Sequence, residues 1–146
     1  MIDHQWIGHQ LPTSVFTIER SRLRFFAKAI GETNPVYLDE AAARDAGHPD
    51  LPAPPTFLFS AEMDSDLKMQ WLRVAGVSLE RVLHGEQSFT YHRLVHAGDT
   101  VSITTRIADL YAKKNGALEF IVMDTDAVNQ RGERVAESRG VIVVRH

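Results

Sequence analysis

The segment Gly31–Asp39, GETNPVYLD, carries a carboxylate at Glu32 and a phenol at Tyr37, on either side of Asn34-Pro35. A carboxylate can accept a proton from water. A tyrosine of ordinary pKa ~10 is a poor base at pH 7, although its hydroxyl can donate a hydrogen bond. Glu32 reads equally as a solvated loop carboxylate following a helix stop. Tyr37 reads equally as a ring packed between loop and sheet, with its hydroxyl at the surface. Asn34-Pro35 is first a turn device, since asparagine bonds its own backbone and proline presets the turn. His84 opens the stretch His84-Gly85-Glu86-Gln87, where its ring either fixes the loop or lines a site. His92 and His96 stand four apart, a spacing that serves metal ligands on a helix. They fall instead at a strand end and a turn with no acidic third ligand, and no metal site is expected. Ser60 lacks a histidine–acid pair at recognisable spacing, which argues against a serine hydrolase. Cysteine is absent, which excludes disulfides, thiolate catalysis and cysteine-ligated zinc.

The elements that must position these groups divide the chain in two. From Arg20 to Ile30, Leu23, Phe26, Ala27 and Ile30 share one helical face, and Gly31 supplies a stop. A short helix is expected from Asp39, whose carboxylate caps it, to Gly47. Five of the six prolines lie between residues 35 and 55 and make a stiff, extended connection. After it, Thr56 is expected to cap a helix opening Phe57-Leu58-Phe59-Ser60-Ala61, apolar almost all round and so buried. Leu67, Trp71, Val74 and Ala75 give a further helix ending at Gly76. There Met69, Trp71 and Leu72 form core, a subunit contact, or a lid.

From about Arg81 the period shortens to two. Phe89 and Tyr91, then Val101 to Ile107, then Leu118 to Val122, and finally Val135 and Val141–Val144 read as strands. They are separated by turns at Ala97-Gly98-Asp99, Lys114-Asn115-Gly116 and Gln130-Arg131-Gly132, of which Asn115-Gly116 is the strongest hairpin signal. The expected architecture is α+β, an antiparallel sheet with helices on one face.

At 146 residues the chain is expected to be one domain, 1–146, and its 44% hydrophobic and 24% charged content is that of an ordinary globular protein. The formal net charge of −3 gives no electrostatic reason to expect nucleic acid or an anionic membrane as partner. The N-terminus shows no basic stretch followed by an apolar run, and no apolar segment approaches ~18 residues. A cytoplasmic location is the default.

Phe26-Ala27 followed by Gly31-Glu32-Thr33-Asn34-Pro35-Val36-Tyr37-Leu38-Asp39 resembles the signature of MaoC-like (R)-specific enoyl-thioester hydratases and dehydratases, roughly FAxxxGDxNPxHxDxxxA. Ala53-Pro54-Pro55-Thr56-Phe57, His84-Gly85-Glu86-Gln87, Phe89-Thr90-Tyr91-His92-Arg93 and Ala97-Gly98-Asp99 resemble the N-terminal-type MaoC dehydratase branch, also found as separate subunits of acyl-carrier-protein dehydratases. The resemblance spans roughly residues 14 to 145. It implies a hotdog fold, a sheet wrapped around the central helix that starts at Thr56, and a dimer with a second hotdog subunit. It implies a thioester substrate, carried on CoA or acyl carrier protein, and no metal or other cofactor, because the thioester itself acidifies the α-carbon. In the family an aspartate and a histidine five residues later hold and deprotonate water, and amides at the start of the central helix bind the thioester oxygen.

Glu32 stands at the aspartate position and Tyr37 at the histidine position. These two are therefore the catalytic candidates, with Asn34, Pro55, Thr56, Phe57 and His84 as candidate substrate contacts. The extra methylene of glutamate displaces its oxygens, and tyrosine cannot replace histidine as a base. The reading that follows is a substrate-binding hotdog subunit that depends on a dyad-bearing partner. The alternatives are a self-sufficient homodimeric hydratase using Glu32, a non-catalytic acyl-thioester-binding module, and a hotdog thioesterase.

Overall fold

The computed structural model describes residues 1–146. Five antiparallel strands make one sheet: β1 (Ser14–Thr17), β2 (Val82–Tyr91), β3 (Thr100–Lys113), β4 (Leu118–Asn129) and β5 (Arg134–Arg145). Their order is β1-β3-β4-β5-β2. The two long hairpins β3–β4 and β4–β5 form its middle, and β1 and β2 lie at the edges. Inward positions of β3 and β4 alternate as the period predicts, with Val101, Ile103, Thr105 and Ile107 buried on β3 and Ile121, Met123 and Thr125 on β4. The β3–β4 turn closes over Lys114–Ala117, with Asn115 and Gly116 both at positive φ.

Four helices cover the inner face. They are α1 (Arg20–Ala29), α2 (Glu40–Asp45), α3 (Phe57–Asp64) and α4 (Leu67–Val74). Gly31, at φ +73, ends α1 as expected. The Asp39 carboxylate accepts from the Ala42 amide and caps α2. Helix α3 buries Phe57, Leu58, Ala61 and Glu62 against the sheet. Its apolar residues join one of two apolar clusters, the one around Phe16, Leu23, Leu51 and Val101; the other gathers around Trp71, Leu72, Ile107 and Ile121. Phe57 sits in the first, edge-on to both Phe16 and Phe26 at 6.1 and 5.4 Å. Truncating such a buried ring typically costs about 3–5 kcal/mol.

Three departures from the sequence reading concern local geometry. The strand β1 lies in a stretch to which the sequence reading assigns no element; only Phe16 of its four residues is buried, too few for a period to register. His84 lies inside β2, at a bulge between His84 and Glu86, and does not precede the strand. Gly85 makes that bulge possible, since a Cβ there would meet Val143 at 2.9 Å and the Val141 carbonyl at 3.1 Å. Thr56 is not a side-chain cap. It adopts φ +72, and no hydrogen bond from a helix amide reaches its hydroxyl. The chain enters α3 through a tight turn closed by the Phe57 amide on the Pro54 carbonyl at 3.1 Å, and the left-handed backbone turns Thr56 out of capping position.

One polar group lies deep inside. The Glu62 carboxylate accepts hydrogen bonds from Lys68 of α4 and from the Ser138 hydroxyl at 2.6 Å. Thr105 and Thr125 continue the network across the sheet at 2.9 Å. A buried carboxylate is tolerated only when it is paired and hydrogen-bonded in this way.

Candidate functional site

Two of the cavities beside α3 bear on the site. The first, of about 380 Å³, lies where the proline-rich connection meets the end of β2, and Val36, Tyr37, His48, Pro55, Tyr91 and His92 are among its walls. Its shape follows from local rules. Asn34 accepts the Val36 amide through its side chain and starts a 3-10 turn, Pro35–Tyr37, which aims Tyr37 at the cavity. The stiff segment that follows is pinned to the loop after β2 by Ala53 on the Val95 carbonyl (2.7 Å) and Ala97 on the Leu51 carbonyl (2.9 Å). Arg20 of α1 grips the Asp50 carboxylate with two hydrogen bonds of 3.0 and 2.6 Å. That guanidinium holds the Asp50 pKa down to about 2.

The sequence-predicted residues are distributed unevenly around this cavity. Glu32 is half-buried and folds back on its own loop: Oε1 accepts the Thr33 and Asn34 amides at 2.9 and 2.8 Å. It does not line the cavity, and neither does Asn34, which is exposed and serves the turn. Tyr37 and Pro55 are on the wall. Phe57 belongs to the core, with 2% of its surface exposed. The amides of Thr56 and Phe57, at the start of α3, already have partners within the chain: Thr56 donates to the Tyr91 hydroxyl at 2.8 Å and Phe57 to Pro54. His84 lies elsewhere. It stacks on Phe59 at 5.2 Å, approaches the Gln87 side-chain oxygen at 3.2 Å, and faces the second cavity.

That second cavity, about 290 Å³, is walled by Phe59, Met63, Met69, Leu83, His84 and Met123 among others. Of the possible lid residues, Trp71 and Leu72 are buried in the core, and Met69 is on this wall. The histidines four apart take separate partners, His92 the Glu137 carboxylate at 2.7 Å and His96 the His48 ring at 3.2 Å. Burial, then the neighbouring His48, holds His96 below the ordinary histidine pKa, against Asp99 and Asp50, which favour its charged form.

Sequence reasoning missed Tyr91 and His48. Tyr91 reads as an alternating strand aromatic, and it does stack on Phe89 at 5.6 Å. Nothing local reveals that its hydroxyl meets an amide 35 residues earlier in the chain. His48 follows the Gly47 helix stop and carries no motif.

Comparison with known proteins identifies the scaffold. Residues 5–138 match the family model of the FAS1-like dehydratase domain region. A UPF0336 protein of Streptomyces coelicolor is 33% identical over 145 residues, covering 99% of this chain and 95% of its own. One of Leifsonia xyli is 37% identical over 134 residues, covering 92% and 89%. Among solved structures, the truncated HadBC (3R)-hydroxyacyl-ACP dehydratase complex of Mycobacterium tuberculosis superposes with a TM-score of 0.81 at 24% identity, covering 94% of this chain and 96% of that one. The ChsH1–ChsH2 complex of the same organism superposes with a TM-score of 0.71 at 27% identity, covering 94% and 89%. No helix of the chain is long and apolar enough to cross a membrane. With its antiparallel sheet wrapped on α3, the chain is an α+β hotdog and belongs to the MaoC-like dehydratases, in the FAS1-like dehydratase region family.

Proposed function

We propose that the chain is a hotdog subunit of a (R)-3-hydroxyacyl-thioester dehydratase, equivalently an enoyl-thioester hydratase, and that a second hotdog subunit supplies its acid–base pair. The observation that carries this is the state of the two motif positions. The Glu32 carboxylate is engaged by two amides of its own loop, and Tyr37 brings a phenol where the reaction needs a group that exchanges protons with water near neutral pH. The chain keeps the cavity but not the base.

The means of pairing are present. Strand β2 offers a ten-residue edge with no strand beyond it. Leu83, at 46% exposure, and Met63, at 40%, flank the mouth of the second cavity beside that edge. An open edge with an apolar margin favours pairing with another sheet. Two related structures bear the names of complexes, HadBC and ChsH1–ChsH2, and this supports a paired assembly for this chain. In the assembled enzyme the partner's base removes the α-proton of the 3-hydroxyacyl thioester. The electron pair moves onto the thioester oxygen, and its return expels hydroxide from C3, which leaves as water once protonated. Hydration is the reverse. The thioester is carried on CoA or acyl carrier protein.

The test is a hydratase assay on crotonyl-CoA with the chain alone and with a hotdog partner bearing the intact aspartate–histidine motif. Turnover is expected only in the mixture. A substantial rate from the chain alone, abolished by Glu32→Gln, would replace this reading with a self-sufficient homodimer.

A further inference from the structure

We infer that the Tyr91 hydroxyl, backed by the Thr56 amide, is the donor that meets the carbonyl oxygen of an acyl thioester bound in the first cavity. This rests on the functional reading above and adds to it a binding residue that no motif assigns. The resemblance implies that bare amides at the start of the central helix take this role. Here the Thr56 amide donates to Tyr91 Oη at 2.8 Å and the Phe57 amide donates to Pro54. The hydrogen bond into the phenol oxygen leaves the phenol's own proton free, and no acceptor within the chain takes it up.

The position of this proton suits the task. Tyr91 is on the wall of the 380 Å³ cavity with Tyr37 and Pro55, so the donor faces space for an acyl group. Its ring is steadied on one side by Phe89, stacked at 5.6 Å with planes 7° apart. An amide donating to the phenol oxygen polarises the O–H bond and strengthens it as a donor, because linked hydrogen bonds reinforce one another. The positive end of α3 is thereby carried outward by one side chain to where negative charge would gather on a thioester oxygen. Tyr91 donates this hydrogen bond without giving up its proton.

The experiment measures binding, so it does not depend on turnover. The full-length chain, in the assembly it forms in solution, is titrated calorimetrically with butyryl-CoA and with S-butyl-CoA, a thioether that lacks the carbonyl. Tyr91→Phe is expected to weaken butyryl-CoA roughly three- to tenfold, the range of one lost hydrogen bond, and to leave S-butyl-CoA within about twofold. Equal weakening of both ligands overturns the inference, because the loss would then be of shape and not of a donor. Tighter butyryl-CoA binding also overturns it, since the hydroxyl would then be a plug over the Thr56 amide. If Tyr91→Phe does not unfold cooperatively, 3-fluorotyrosine at position 91 decides: a more acidic phenol should bind butyryl-CoA more tightly and S-butyl-CoA unchanged, and no gain for butyryl-CoA refutes the role. If the wild-type chain binds butyryl groups neither on CoA nor on acyl carrier protein, the functional reading itself fails. Butyryl-CoA binding that Tyr91→Phe leaves intact sinks only the role of Tyr91.

Discussion

The two cavities beside α3 are similar in size and opposite in construction. The first is assembled from a 3-10 turn, a proline-rich connection and the end of a strand, and it gathers two tyrosines and two histidines. The second is cut into regular elements, α3, α4, β2, β4 and β5, and is apolar except for Lys68, His84 and Gln87. Loops place polar groups at angles that no helix or strand period reaches, whereas packed elements present the side chains their periods dictate. The first cavity is therefore suited to orienting a reactive group. The second is suited to receiving something apolar, an acyl chain or the flank of a partner.

Four measurements would break or sharpen that contrast. The largest effect is expected at Lys68, which lies on the second cavity and pairs with the buried Glu62. Lys68→Met leaves a carboxylate with only 3% of its side chain exposed without its cation. The expected loss is about 3 kcal/mol in urea denaturation; a loss under about 1 kcal/mol would mean that Ser138 and Thr125 suffice to hold Glu62.

Next, Leu83→Lys places a charge on the open edge beside the same cavity. It should weaken subunit pairing by about 100-fold in sedimentation or light scattering, as for an edge strand blunted by lysine at an apolar contact. Unchanged assembly would move the interface elsewhere, and an unassembled wild-type chain at micromolar concentration would remove it.

Beside the first cavity, at residues bonded to its walls, the effects should be smaller. Thr56 holds φ +72 without being glycine, a conformation that costs an L-residue about 1–2 kcal/mol, partly offset in glycine by its greater freedom when unfolded. Thr56→Gly is therefore expected to raise stability by about 0.5–1 kcal/mol in thermal melts. A destabilisation would show that the threonine side chain supports the turn.

The smallest effect concerns pH. The folded pKa of His96 lies below the ordinary 6.5, so the unfolded chain takes up that proton first as pH falls. The stability it contributes is complete above about pH 6.5 and declines as pH drops from there toward the folded pKa. In His96→Gln the slope of stability against pH below 6.5 should be shallower than in the wild type; an unchanged slope would assign the titration to another group.

Much of the scaffold was legible because it obeys periodic rules. The helices α1, α2 and α3, the four long strands and the Asn115-Gly116 turn all follow from spacing, stops and turn chemistry. Asp39 does what its place before an alanine run predicts. The misses are equally local. The short β1 has one inward residue, and Thr56 looks like a cap until its backbone is known to be left-handed. His84 and Phe57 read as members of one site. His84 is drawn to the second cavity by the bulge at Gly85, and Phe57 into the core by its two aromatic neighbours.

By itself the sequence determined the fold class and the family, and it put Glu32 and Tyr37 where the resemblance implies an aspartate and a histidine. Each of these is written in residue types and short spacings. Only the tertiary structure decided that Glu32 turns back on its own loop, where it takes the Thr33 and Asn34 amides, while Tyr37 faces a cavity. It alone brought Tyr91 to the head of α3. That contact joins a strand end to a left-handed turn 35 residues away, and no local period encodes a meeting between elements that only the packed sheet brings together.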